Sequence, residues 1–285
     1  MEYTNPDALV STEWLAEHLD APDVRVIDAT FHLPHADRNA REEFEFRHIP
    51  GAVYFNIDEI ADTSTALPHM LPSPEKFSSN VRKLGLGDGS RIVVYDSNGG
   101  FMAACRVWWT FRYFGCRDIA VLDGGLPKWT KEDRPVEEGP AMPQERHFTP
   151  SMNNTLVKNL DQMLANLDSH KFQVVDARSE GRFSGVDHEP RPTEKRGHIP
   201  GSINLPFVKM MNPKDNFTFK SAGELQALVD EAGIDLSRPI TASCGSGVTA
   251  SVTAFALYLL GHEDVAVYDG SWAEWGDHTD TPIGP

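Results

Sequence analysis

The sequence predicts an α/β protein built from one domain written twice, each copy a mostly parallel sheet flanked by helices on both faces. Two observations carry this. Three motifs recur in the same order at offsets between 146 and 150 residues. Val26-Ile27-Asp28-Ala29 returns as Val174-Val175-Asp176-Ala177, and His48-Ile49-Pro50-Gly51-Ala52 as His198-Ile199-Pro200-Gly201-Ser202. Val121-Leu122-Asp123-Gly124-Gly125, ahead of Trp129, returns as Val267-Tyr268-Asp269-Gly270-Ser271, ahead of Trp275. Ordered matches at nearly one offset mark a tandem duplication. In addition, short β-branched runs alternate with longer amphipathic or apolar segments, the pattern of parallel strands joined by crossover helices.

The elements follow in the same order in each copy. An amphipathic helix opens it; in the second copy Leu156, Leu160, Met163, Leu164 and Leu167 fall at helical spacing. A strand follows and stops at an acid, 24–27 before Asp28 and 174–175 before Asp176. After the His-Ile-Pro-Gly turn comes a helix, 74–84 or 222–232, closed by Gly85 or Gly233, since glycine takes the left-handed C-cap conformation without strain. A strand (91–95; 239–243), a glycine-bearing loop, a long apolar helix (opened by Phe101 in the first copy) and a last strand ending at Asp-Gly complete the unit. The stretch 131–155, rich in Pro, Glu, Gly and Asn, reads as a linker. This places a first domain at 1–135, a linker at 136–155 and a second domain at 156–285. In such sheets ligands bind at the carboxyl ends of strands, so the strand-to-helix loops should hold the chemistry.

Composition narrows the function. The 285 residues carry 26 Lys+Arg against 42 Asp+Glu, a net charge of −16, with 40 % hydrophobic residues. The acid excess argues against nucleic-acid and anionic-membrane partners. Cys105, Cys116 and Cys244 are too few for a disulfide framework and lack metal-ligand spacing, which suits a reducing compartment and a site without metal. Residues 1–7 show no leader, and the longest apolar run, 254–260, is far short of the ~20 residues that span a bilayer. A soluble cytoplasmic protein is expected.

The two copies diverge at the loop expected to matter. The first has Tyr95-Asp96-Ser97-Asn98-Gly99-Gly100, the second Ser243-Cys244-Gly245-Ser246-Gly247-Val248-Thr249-Ala250, so Cys244 takes the place of Asp96. Most free cysteines are small buried hydrophobes, and that reading suits Cys105 and Cys116. Cys244 instead sits between a strand and a helix N-terminus, with Gly245 and Gly247 letting backbone amides converge into an anion cradle that favours a thiolate. A phosphatase loop would need Arg at the sixth position after the cysteine, and position 250 is Ala.

The paired His-Ile-Pro-Gly and Asp-Gly…Trp motifs, together with the Cys244–Ala250 loop, resemble the tandem-domain rhodanese superfamily over essentially the whole chain. The resemblance implies that the second domain carries a sulfur-accepting Cys244 and that the first has lost it. Thiosulfate-using members resemble Cys-Arg-Lys-Gly-Val-Thr; the uncharged Cys-Gly-Ser-Gly-Val-Thr here resembles the members that use 3-mercaptopyruvate. A doubly anionic donor needs cations at the loop, whereas mercaptopyruvate has one carboxylate that can be held elsewhere. By the same resemblance Arg182 and Arg191 hold that carboxylate, and Asp58, His69 and Ser246 form a proton relay. Gly245, Gly247, Val248 and Thr249 complete the substrate loop. Arg178 is expected to organise the loop, Lys195 and Arg196 to be surface charges, and His48 and His198 to be structural.

The implied reaction moves sulfur from 3-mercaptopyruvate through a Cys244 persulfide to a thiol such as thioredoxin or a small dithiol, or to cyanide, and releases pyruvate without a cofactor. A thiosulfate:cyanide sulfurtransferase and a persulfide carrier without turnover are the alternatives. The segment from Arg178 to Arg196 holds five basic residues against four acidic ones, so anion attraction must come from aimed groups rather than from the bulk field.

Overall fold

The computed structural model describes residues 1–33, 36–99 and 102–284. The first copy runs β1 (Leu9–Val10), α1 (Thr12–His18), β2 (Val24–Asp28), α2 (Ala40–Phe46), β3 (Val53–Tyr54) and the single turn α3 (Ile57–Ile60). It continues with α4 (Pro74–Lys83), β4 (Arg91–Tyr95), α5 (Ala103–Tyr113), β5 (Ile119–Leu122) and α6 (Gly125–Lys131). The second copy opens with β6 (Val157–Lys158), α7 (Leu160–Ser169), β7 (Gln173–Asp176), α8 (Glu180–Phe183) and β8 (Ile203–Asn204). A short antiparallel pair, β9 (Met211–Asn212) and β10 (Thr218–Phe219), is added there. Then come α9 (Ala222–Glu231), β11 (Ile240–Ser243), α10 (Ala250–Leu259), β12 (Ala266–Tyr268) and α11 (Ser271–Trp275).

The two main sheets have the same five-strand order, β1-β5-β4-β2-β3 and β6-β12-β11-β7-β8. All their pairings are parallel, so the expected fold class holds for both copies. In the central pairs Asp28 stands opposite Tyr95 and Asp176 opposite Ser243, which sets a buried acid beside each strand-to-helix loop.

Local signals explain the helix starts. Ser73 and Ser221 occupy equivalent N-cap positions on α4 and α9, each accepting a backbone N–H, and Gly85 and Gly233 follow at φ +70° and +71°. A capping box between Asn159 and Gln162 starts α7 at Leu160, so Leu156 belongs to the preceding 3-10 turn rather than to the helix as its spacing suggested. Phe101, expected to open the apolar helix, lies outside the described residues; the helix runs from Ala103.

The apolar helices α5 and α10 are buried nearly all round because each lies between its own sheet and the other copy. Trp108 on α5 meets Phe255 on α10 edge to face, with ring centroids 4.8 Å apart. One apolar cluster therefore runs from Ile27 and Val94 through this junction to Ala242 and Val267. The stretch expected as a linker is a belt pinned to the first copy. Its backbone pairs with His48 at Glu137, and the carbonyls of His147 and Phe148 accept bonds from Asp88 N–H and the Ser78 hydroxyl.

Candidate active site

Cys244 follows β11 directly and is 1 % exposed. Its N–H donates to Ser271 Oγ at 3.2 Å, while its carbonyl and that of Gly245 accept the N–H groups of Trp272 and Ala273, both at 2.9 Å. The backbone of Cys244 is thus fixed by the strand behind it and by the first turn of α11. Among the described residues, no backbone N–H from Gly245 to Thr249 donates to a protein acceptor, and the loop runs into the N-terminus of α10. These donors and the helix terminus form a cradle suited to an anion.

The first copy shows the same cradle filled from within. Asp96 is fully buried and its carboxylate accepts the N–H groups of Asn98, Met102 and Ala104 at 2.8, 3.2 and 3.1 Å. The other cysteines lie in different settings: burial drives the Cys105 thiol well above its ordinary range and pushes Cys116 up to about 11.

An arginine–carboxylate cluster forms one wall. Arg178 is fully buried and donates to both oxygens of Asp176, to Glu189 Oε1 at 2.8 Å and to the Gly197 carbonyl at 2.8 Å. Burial works against its charge, but Asp176 and Glu189 outweigh burial and hold its pKa above the ordinary value. Its guanidinium also lies over the Trp272 ring at 4.3 Å. Glu189 then turns to Arg182, which donates to both carboxylate oxygens through Nε at 3.1 Å and again through Nη2. Arg182 thereby comes so close to the loop that a Cβ on Gly245 would lie 2.6 Å from its Nη2.

Arg191 extends the other way. Its Nη2 donates to His69 Nε2 at 3.0 Å, and its field reaches Cys244 and Asp58. Because Arg191 can only donate, His69 Nε2 must carry its lone pair there, which leaves the proton on Nδ1. Asp58 Oδ1 stands 3.0 Å from that Nδ1, with the N–H not squarely aimed at it, so the carboxylate meets the dipole of a neutral ring rather than a full hydrogen bond. Burial pushes the His69 pKa down; Asp58 opposes this, and Arg191 and Arg106 add to it. The ring is therefore neutral at pH 7. Asn56 caps the turn α3 that presents Asp58, accepting N–H bonds from Asp58 and Glu59.

A cavity of about 140 Å³ opens above the thiol. Arg182, Arg191, Cys244, Gly245, Ser246, Val248 and Thr249 line it from the second copy, and Phe31, Leu33 and Met102 cover it from the first. The structure thus gathers most of the expected residues around one small space. Three expectations need adjusting. Gly247, at φ +77°, is not in the cavity wall but on the reverse side of the loop, where a Cβ would meet Arg106. Among the described residues no hydrogen bond joins Ser246 to His69, because Arg191 occupies the ring nitrogen a relay would use. Lys195 is not a free surface charge: its Nζ ties together the carbonyls of His278, Thr279 and Thr281.

The chain is similar to known proteins over nearly its whole length. A family model described as Rhodanese-like domain matches residues 11–132 and 159–278. The chain belongs to the rhodanese family. It is 43 % identical to a human 3-mercaptopyruvate sulfurtransferase over 94 % of this chain and 91 % of that one. It is 45 % identical to a rat thiosulfate sulfurtransferase over the same shares. The crystal structure of SseA from Escherichia coli, presented as a 3-mercaptopyruvate sulfotransferase, superposes with a TM-score of 0.85 at 38 % identity, covering 94 % of this chain and 99 % of SseA.

Seen as a rhodanese duplication, the paired turns explain themselves. His48 and His198 hold the carbonyls of Phe44 and Phe183 and stack on those same rings, the same structural contacts in both copies. Sequence reasoning passed over Arg106 and Asp269, which pair at 2.6 Å in the junction. One signal was available: Arg106 is a lone charge in the otherwise apolar run 103–109.

Proposed function

We propose that this protein transfers sulfur from 3-mercaptopyruvate to a thiol acceptor through a persulfide on Cys244. The supporting observation is an open, uncharged cradle around a buried thiol, with Arg182 and Arg191 on the same small cavity. The substrate carboxylate sits on the two guanidinium groups, and its sulfur faces Cys244. The Cys244 thiolate attacks that sulfur, forming the S–S bond. The carbon–sulfur bond breaks and its electron pair passes to carbon, giving the enolate of pyruvate. A proton from the substrate thiol or from water completes pyruvate. The amides of 245–249 hold the negative charge of the persulfide. An acceptor thiolate, from a small dithiol or a thioredoxin-like protein, then attacks the outer sulfur and returns the Cys244 thiolate. His69 in this reading is a neutral anchor for Arg191 backed by Asp58, and Ser246 is the cavity-lining hydroxyl nearest in sequence to the nucleophile. The first domain, without a nucleophile, supplies that anchor and the cavity's cover.

Overall identity is nearly equal for relatives named after either donor, so the loop chemistry decides between them. A dianionic thiosulfate would meet no loop cation at 245 or 246, while a monocarboxylate finds two arginines. The test is kcat/KM for the two donors in multiple turnover. Mercaptopyruvate should be preferred at least tenfold, about 1.4 kcal/mol of transition-state binding; a preference for thiosulfate overturns the donor, and loading without turnover makes the protein a persulfide carrier. Free thiols at Cys105, Cys116 and Cys244 fit a reducing compartment such as the cytoplasm, and no helix among the described residues is long and apolar enough to cross a membrane.

A further inference from the structure

We infer that Arg106 is a positioning residue for sulfur transfer, holding His69 of the first copy and the Cys244 loop of the second in register. The inference rests on the sulfurtransferase reading above. Arg106 lies on α5 where that helix meets the second copy, 3 % exposed among apolar neighbours. Its donors are aimed at three segments. Nη2 donates to the His69 carbonyl at 2.5 Å and to Asp269 Oδ1 at 2.6 Å, and Nη1 points at the Gly247 carbonyl at 3.5 Å. The guanidinium lies 4.5 Å from the centroid of the Trp109 ring, which keeps it from tilting.

Asp269 completes the clamp, because its Oδ2 accepts the Leu71 N–H at 2.7 Å. The segment 69–71 is thus fixed at both ends from the junction. His69 needs this: its φ is +60°, a region that residues with side chains seldom occupy without support. That backbone turn is what aims Nε2 at Arg191.

On the other side, Gly247 lets the arginine in. A Cβ there would lie 2.9 Å from Nη1. Asp269 is also two residues before Ser271, whose hydroxyl accepts the Cys244 N–H and donates to the Tyr268 carbonyl. One guanidinium therefore supports both the anchor of the substrate-facing Arg191 and the strand end that fixes the nucleophile. The repeat supplies a control. At the 148-residue offset the counterpart of Arg106 is Ala254, so the domain fold itself has no need of an arginine at this helix position. The requirement belongs to the junction and hence to the composite site.

Replacing Arg106 alone by an apolar residue would strand the buried Asp269 carboxylate and unfold some of the protein. The test therefore uses Arg106→Lys and the charge-balanced pair Arg106→Met with Asp269→Asn, whose amide oxygen can still accept from Leu71. Steady-state kinetics are run with whichever donor the wild-type protein turns over, so failure of the mercaptopyruvate reading shows in the wild type alone. The paired variant should keep a melting temperature near that of the wild type and raise the donor KM about tenfold, the scale of one hydrogen bond to a charged group. Its kcat should fall less than KM rises. Adding His69→Ala should bring little further loss, because both changes act through Arg191. Arg106→Lys should show a smaller rise in KM and decides the matter if the paired variant does not fold. An unchanged KM in a folded variant, or losses from Arg106 and His69 that simply multiply, would overturn the inference.

Discussion

The loops after β4 and β11 are the same piece of structure put to opposite uses. After β4, Asp96 turns its carboxylate inward and accepts the backbone N–H groups of Asn98, Met102 and Ala104. After β11, Cys244 holds the corresponding place, and the amides that follow it face a cavity. The acids beneath the loops differ in the same sense. Asp176 is met by Arg178, which carries the charge on to Glu189 and so to Arg182. Asp28 has Thr30 where Arg178 stands, and burial lifts its pKa to about 6 despite bonds from Thr30 and Tyr95. A duplicated fold keeps one open cradle with an ion-pair network to aim at it, and closes the other with its own side chain. The difference teaches that a thiol at the loop is not enough; the arginines arrive with it.

The comparison can be broken most severely at Cys244, the proposed nucleophile. Cys244→Ser leaves the cradle and removes the sulfur acceptor, so turnover should fall by at least a thousandfold while the melting temperature changes little. Persulfide still detectable on that variant would put the nucleophile elsewhere. Next in size are the guanidinium groups. Arg191→Ala and Arg182→Ala should each raise KM for mercaptopyruvate by about 10- to 100-fold, the worth of a charge-assisted contact made before chemistry. Arg182→Ala should also destabilise the protein, since it takes one cation from Glu189. Equal KM values in variant and wild type would return these arginines to a purely structural role.

The filled cradle offers a stability test of comparable size. Asp96→Ala takes the acceptor from the buried Ala104 N–H and from the half-buried N–H groups of Asn98 and Met102, and should cost about 2–4 kcal/mol in chemical denaturation, with kcat of the folded protein nearly unchanged. A smaller effect belongs to Asp28. Its folded pKa is raised from 3.8 to about 6, so its contribution is full below pH ~4 and is lost as pH rises through ~6. Asp28→Asn should therefore flatten the stability profile between pH 4 and 6 and gain on the order of 3 kcal/mol over the wild type at pH 7. An unaltered pH profile would show that the buried acid is solvated in a way its surroundings do not suggest.

Most of this architecture was legible in the chain because it rests on local or repeated signals. The paired motifs mark equivalent strand ends, and serine caps and closing glycines mark helices in both copies. The Cys244 loop could be read for the same reason, as its glycines and the helix after it are contiguous. What could not be read depends on contacts between segments far apart in sequence. Arg106 and Asp269 meet across 163 positions, and Arg191 reaches His69 across 122. No periodicity encodes such meetings. The expected Ser246–His69 link went unmade for this reason: the relay residues gave no hint that Arg191 would stand at the ring nitrogen. Leu156 shows the converse, a helical spacing overruled by the Asn159 capping box three residues later.

The most direct test of the account is a single loading experiment. The purified protein is mixed with excess 3-mercaptopyruvate without a thiol acceptor, and intact mass and pyruvate are measured together. A gain of one sulfur atom, located on Cys244, is expected, with one pyruvate released per chain at first loading. No gain in mass, or an equal gain in Cys244→Ser, would contradict it.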